Sequence, residues 1–270
     1  MKHLSRAYLC LIFGILYIPI ITLIFFSFNS TSSTAQITGF SFLWYKELFT
    51  SEATFAALRN TLILAISSAT LSTLIGTAAA AGIYRMKSKL AKKVITSVTN
   101  IPMMNPDIVT GMSMMLFFVA TAAALQLDYD SIGFVAMLIA HTTFCLPYVI
   151  LSVLPRVEAL GTSLTEAALD LGCTPLQSFF LVELPNILPG VLSGFVMAFT
   201  LSLDDFIISY FVGSSNFQTL PLLIYSMTKK QVKPDMYALS SVIIVTIFLL
   251  LFLSNFLKGK KRGKKGVRSV

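Results

Sequence analysis

An all-α membrane protein with about six transmembrane helices is the fold class this sequence predicts, and three observations carry it. Hydrophobic residues make up 56% of the chain and charged residues only 12%, where a soluble domain has about a quarter of its residues charged. The mean hydropathy is +0.81. The 270 residues suit about six spans of ~20 apolar residues each with short connections. The net charge of +8 invites a nucleic-acid reading, but the excess is local. Lys258, Lys260, Lys261, Arg262, Lys264, Lys265 and Arg268 all follow the last apolar run. Such a cluster beside a span is an orientation signal facing anionic lipid, so no nucleic-acid partner is expected. Cys10, Cys145 and Cys173 have neither metal nor redox spacing and read as unpaired packing residues, so no metal site is expected. His3 and His141 are single; His141, within an apolar run, reads as a packed, hydrogen-bonded histidine rather than a ligand or proton relay.

The elements follow in order. Lys2 and Arg6 precede the run Tyr8 to Phe28, which is too long for a signal-peptide core and lacks a good cleavage site, so it reads as an uncleaved first span. Asn29 to Ala57 is a polar outer loop with Trp44 and Tyr45 at the membrane interface. Asn60 to Ile83 is the second span, and its small residues from Gly76 to Gly82 allow close helix approach. Arg85, Lys87, Lys89, Lys92 and Lys93 place the next loop in the cytoplasm. Val94 to Ala124 is too long for one straight span, and Pro102 and Pro106 are expected to break it. Asn105-Pro106-Asp107 reads as a helix start, with Asn105 as cap and Asp107 near the positive helix end. A place on a substrate path is the alternative role for Asp107. Gln126 to Ser131 is an outer turn, and Ile132 to Leu154, with Pro147 inside, is the fourth span.

The cytoplasmic segment from Pro155 to about Pro189 contains the most specific motif. Glu166-Ala167-Ala168 is followed by three residues and Gly172, then nine residues, Val182, one residue, and Leu184-Pro185. Glu166 to Leu171 consists of good helix formers, with Thr165 or Ser163 available as a cap. Gly172 suits a left-handed stop, and Pro175 prevents continuation. This spacing resembles the EAA loop of binding-protein-dependent ABC importer permeases of the type I fold, with Val182 where isoleucine is usual. The resemblance implies that Glu166, Ala167, Ala168 and Gly172 dock a groove on an ATP-binding subunit. The chain has no Gly-rich phosphate loop of its own. ATP and magnesium are therefore expected on a partner subunit, no cofactor in this chain, and a transport role rather than an enzymatic one.

Gly190 to Val212 is the fifth span, and it holds Asp204 and Asp205. Each carboxylate costs at least ~2.5 kcal/mol at a helix centre, so it must face the bundle interior, a water-filled path or a cation. On a continuous helix Asp205 shares a face with Ser202 and Ser209, while Asp204 lies with Thr200 and Ile208. Asp205 is accordingly expected on the water-lined side. A structural pair at a helix break is the competing account. Phe206, Tyr210, Phe211 and Tyr225 could add cation–π contacts, which suits a cationic cargo. Gly213 to Tyr237 is an outer segment in which Lys229, Lys230 and Lys233 oppose the charge rule, and Ala238 to Leu257 is the sixth span. Both termini then lie in the cytoplasm.

Phe199 to Asp205, Leu220 to Met227, Pro106 to Val109 and His141 to Tyr148 together look like the C-type permease subunit of spermidine/putrescine ABC importers. The likeness runs from about Leu58 to the sixth span. It implies a bacterial cytoplasmic-membrane complex of this chain, a related second permease, two ATP-binding subunits and an extracellular polyamine-binding protein. Residues 1–57 then form a first helix and outer loop, 58–257 the permease core, and 258–270 a basic tail. Rival readings are another cargo, such as ferric iron or a phosphonate, and a proton-coupled carrier. The latter often shows paired interrupted segments in its two halves; a break is legible at Asn105-Pro106 and no matching one in the second half.

Overall fold

The computed structural model describes residues 2–31, 38–229, 236–242 and 244–245. The basic tail from Lys258, most of the expected sixth span, Lys230 and Lys233 lie outside the described residues, as do the side chains of His3 and Cys10. Among the described residues there is no β-strand, only isolated bridges pairing Asn29 with Phe40 and Ser214 with Phe217. Four helical stretches are long and apolar enough to cross a membrane: Glu52–Arg85, Asp107–Ala124, Ile132–Leu160 and Pro175–Asp204, with a shorter apolar helix at Leu11–Phe26. The chain divides into two compact units, Met1–Phe55 with Ile224–Val270, and Ala56–Leu223.

In the first unit, α1 (Lys2–Phe26) keeps Pro19 inside its length. The expected outer loop contains a helix, α2 (Leu43–Thr50). The Trp44 indole N–H donates to the Asn29 carbonyl at 2.6 Å. The Tyr45 hydroxyl lies 2.7 Å from that of Ser27 and 3.0 Å from that of Ser241. Phe28, Phe40, Phe42 and Tyr45 stack around this anchor.

The second unit is built from long helices. α3 (Glu52–Arg85) begins before the expected second span. Close approach is realised at Gly76, where an added Cβ would sit 2.7 Å from a Val149 methyl, while Gly82 meets nothing. α4 (Lys89–Met104) follows, its first turn capped by the Ser88 hydroxyl, which accepts from Ala91 N–H. Pro102 does not break the chain as expected but stays inside α4. The break falls at Asn105 and Pro106, and α5 (Asp107–Ala124) starts one residue later than the sequence suggested. Asn105 is forced to extended backbone by the proline that follows it, so it closes α4 instead of capping α5. Its amide donates to the Thr110 hydroxyl at 3.2 Å.

α6 (Tyr129–Leu160) carries Pro147 and runs straight through Pro155, which was expected to end the fourth span. The short α7 (Ser163–Asp170) and α8 (Pro175–Ser178) precede a single π-helical turn, Phe179–Glu183, that leads into α9 (Leu184–Asp204). Pro189 therefore lies inside a membrane helix and does not mark its start. α10 (Ile207–Val212) and α11 (Leu220–Lys229) complete the described order before residues 236–242 turn helical again.

The core lies where α6 and α9 pack along each other, with Met137, Ala140, Cys145, Val149, Val153, Ile187 and Ala198 fully or almost fully buried. α10 packs on α5 and α6. At the opposite end of α6 from the α7 segment, Asp130 accepts the Ser215 N–H at 3.1 Å and hydroxyl at 2.9 Å. The Tyr129 hydroxyl donates to the Val212 carbonyl at 2.8 Å. Burial first, and then the charge of Asp130, push the Tyr129 phenol above its ordinary pKa.

Candidate functional site

Two regions of the second unit bring together the residues that the sequence singled out. The first is the α7 segment. Its helix starts at Ser163, and neither Ser163 nor Thr165 caps it, contrary to expectation: the cap position is Thr162 and no side chain bonds there. Thr165 is occupied elsewhere, its hydroxyl donating to Glu183 at 3.0 Å. The stop behaves as the residue type demands. Gly172 has φ +90°, and its N–H donates to Leu169 O while Cys173 N–H donates to Ala168 O. α8 then begins with Pro175 under a full capping box between Thr174 and Gln177.

Ala168 alone in α7 is buried, and it fixes which side of the helix faces the protein. Glu166, Ala167, Asp170 and Gly172 are exposed. Beside them Leu164, Leu169, Leu171, Leu176, Phe180 and Leu181 present apolar side chains to the outside, Leu171 at 87% exposure. Large apolar side chains thus surround the short helix.

The second region is a polar centre inside the helix bundle, where α9 breaks. α9 ends at Asp204, Asp205 is extended, and α10 resumes at Ile207. The second half therefore does contain an interrupted helix, at the break that the sequence offered as the competing account of the two carboxylates, although neither proline nor glycine marks it. Asp205 supplies the local reason. Its two carboxylate oxygens accept the N–H groups of Ile208 at 3.3 Å and Ser209 at 2.9 Å, satisfying the first turn of α10.

His141, fully buried on α6, holds the broken ends together. Its Nδ1 lies 2.8 Å from the Ser202 hydroxyl on α9, and its Nε2 lies 3.2 Å from the Ser209 hydroxyl on α10. Asp205 Oδ2 is 3.5 Å from Nε2. Ser68 of α3 extends the network by donating to the Ser202 hydroxyl at 2.9 Å. Four helices thus meet in one hydrogen-bonded network around the imidazole.

Ser202, Asp205 and Ser209 do share one side, but that side is the protein interior around His141. The Asp205 side chain is only 8% exposed, whereas Asp204 is exposed on the surface of the unit. Asp205, expected on the water-lined side, is turned inward around His141. The 100° step that related the two residues applies to a continuous helix, and the chain leaves the helix between them. Asp107 is exposed at the start of α5, the helix against which α10 packs. Phe206 and Tyr210 rings pack together at 5.5 Å beside the break. Tyr225 belongs to the other compact unit, and its ring carries the Lys229 ammonium at 4.7 Å. His141 is the packed, hydrogen-bonded histidine the sequence suggests; which residues it bonds became legible only with α6 placed against α9 and α10. No cluster of three or more His, Cys, Asp or Glu able to hold a metal occurs among the described residues.

A bundle of apolar helices, two of them interrupted, with a short exposed helix and an apolar patch at one end, defines a multi-pass membrane protein. Residues 72–259 match the family model described as "Binding-protein-dependent transport system inner membrane component", and the chain belongs to that family. It is therefore a transport component rather than an enzyme. It is 36% identical over 258 residues to the putrescine transport system permease protein PotI of Escherichia coli K12, covering 96% of this chain and 91% of the relative. It is 35% identical over 257 residues to the spermidine/putrescine transport system permease protein PotC of Haemophilus influenzae, covering 95% and 97%. A chain from a bacterial ABC transporter involved in import of the acidic polysaccharide alginate matches at a TM-score of 0.71 and 14% identity, covering 96% and 95%. A chain of the MetNI methionine ABC transporter in an inward-facing conformation matches at 0.59 and 21%, covering 77% and 97%. These two likenesses establish the shared fold.

Proposed function

We propose that this chain is the polyamine-conducting permease subunit of an ATP-driven importer in a bacterial cytoplasmic membrane. The observation that carries the reading is α7: Glu166, Ala167, Ala168 and Gly172 at the importer spacing, folded into a short exposed helix ringed by apolar side chains. In this reading α7 seats in a groove of an ATP-binding subunit, which holds ATP and magnesium. The chain crosses the membrane six times with both ends in the cytoplasm. It pairs with a second, related permease and receives cargo from an extracellular binding protein, two ATP-binding subunits completing the complex. Residues 58–257 form the permease core, with the coupling segment between α6 and α9, and 258–270 a basic tail on the inner lipid surface.

Cargo is assigned from charge and kinship together. Asp204 and Asp107 offer exposed carboxylates on the membrane helices, which attract a polycation and repel an anion. The relatives that share a third of this sequence are named for putrescine and spermidine. Asp205, Ser202 and Ser209 act on the path by holding the helix break behind it.

A second reading has a specific observation in its favour. Interrupted helices in both halves, at Asn105-Pro106 and at Asp205-Phe206, are also found in carriers driven by ion gradients. Uptake of labelled spermidine, compared between the parent and cells lacking this gene with and without ATP depletion, separates the two. Loss of an ATP-dependent component supports the importer. Uptake that follows the proton gradient and ignores ATP depletion refutes it. Unchanged uptake in cells with no second polyamine importer removes polyamine as cargo and points to another solute.

A further inference from the structure

Glu183 occupies the one variable position between Val182 and Leu184-Pro185, where the importer spacing assigns no role. It is nevertheless the most heavily engaged acid at this end of the protein. Its side chain is only 6% exposed. Arg85 Nη2 donates to both carboxylate oxygens at 2.7 Å, and the Thr165 hydroxyl donates to Oε1 at 3.0 Å. Arg85 is the last residue of the membrane helix α3, Thr165 directly precedes Glu166 on α7, and Glu183 is the last residue before α9. The Arg85 guanidinium also lies 5.7 Å from the centre of the Phe179 ring. Phe179 and Glu183 are the two ends of the π-helical turn, so the guanidinium is gripped from both ends of one element. Helices of π type inside longer helices recur at functional sites.

We propose that Glu183 is a positioning residue that binds α7, α3 and α9 into one moving body, so that displacement of α7 by its ATP-binding partner reaches two membrane helices together. This rests on the reading of α7 as the docking helix. A charge-assisted bond to both oxygens of a buried carboxylate resists shear far better than apolar contact alone. Without it, α7 can follow the partner while α3 stays behind.

The test uses the complete complex, purified with its binding protein and reconstituted into vesicles, measuring spermidine taken up per ATP hydrolysed. For Glu183→Gln the ATP-binding subunits should remain bound and ATP hydrolysis continue, while the uptake-to-hydrolysis ratio falls about tenfold, within the usual range of coupling between sites. Arg85→Gln should lower the same ratio, and the double variant should lose no more than the worse single, because both act through one contact. A ratio within about threefold of the parent in Glu183→Gln overturns the proposal, and so do losses that multiply in the double variant. If Glu183→Gln does not assemble, Thr165→Val decides: a reduced ratio supports the relay and an unchanged one overturns it. Glu166→Lys is the control for the underlying reading. If that variant keeps its ATP-binding subunits and full uptake, α7 is not the dock, whatever the Glu183 variants show.

Discussion

Asp204 and Asp205 are chemically identical neighbours, and the structure assigns them different work, which a pair of measurements can separate. Replacing Asp205 with alanine removes the acceptor for two N–H groups at the start of α10. Loss of a capping acceptor costs about 0.5–2 kcal/mol. A change of 1 kcal/mol moves the melting temperature by roughly 2–4 °C in a chain of this order, so Asp205→Ala should lower it by roughly 1–8 °C. Asp205→Asn keeps one amide oxygen, enough for the shorter bond to Ser209 at 2.9 Å but not for both, and should fall between alanine and the parent. Asp204 is exposed, so Asp204→Asn should stay within about 0.5 kcal/mol of the parent. The assay is thermal unfolding of the purified complex in detergent at one fixed scan rate, followed by uptake under saturating ATP. The expected pattern is crossed: Asp205→Ala is unstable, while Asp204→Asn is stable and slow to transport polyamine. Equal melting of Asp205→Ala and the parent would refute the capping account. Normal uptake by Asp204→Asn would remove that carboxylate from the path.

Glu166→Lys places a cation in the exposed centre of α7 and should abolish ATP-dependent uptake while membrane fractions still contain the protein at parental abundance, as judged by immunoblot. His141→Leu removes two interhelical contacts; at ~0.6 kcal/mol on average and ~1.7 at most for each such bond in a membrane, it should destabilise the chain by about 1–3 kcal/mol, read as melting temperature. Tyr129 has a raised pKa in the folded protein, so the stabilisation from its protonated hydroxyl is fully present below the unfolded value of about 10 and disappears as pH rises through the folded value. The parent should lose stability above about pH 10 in a step that Tyr129→Phe lacks; identical alkaline melting curves would contradict this.

Much of α7 was legible in the sequence because its signals are local. Gly172 ends α7 through a backbone conformation that glycine favours, and Pro175 opens α8 where its missing N–H costs nothing. The prolines inside longer helices were misleading for the same reason in reverse. A proline in water usually ends a helix, but Pro102, Pro155 and Pro189 sit inside helices that continue past them. The break that matters for the polar centre has no local signature. It depends on Asp205 turning its oxygens onto α10 and on His141 arriving from α6, more than sixty residues away in the chain.

That contrast explains why periodicity alone misplaces Asp205, expected on the water-lined side and found turned inward around His141. Helical periodicity relates residues only as long as the helix lasts, and Asp205 is the residue that stops it. The same side chain that looks like a substrate ligand on a continuous helix becomes, at a break, the group that satisfies the next helix and leaves its neighbour facing outwards. A buried acid inside a membrane bundle therefore has two ways to offset its desolvation, a cargo cation or the N–H groups of an interrupted helix. Asp205 takes the second. Its geometry also ties the two to each other, because straightening α9 through residue 205 would release its carboxylate from Ile208 and Ser209 and pull Ser202 and Ser209 from opposite sides of His141. The break is held by a set of bonds that must be lost together, which makes it a defined joint between α9 and α10 and not a loose one.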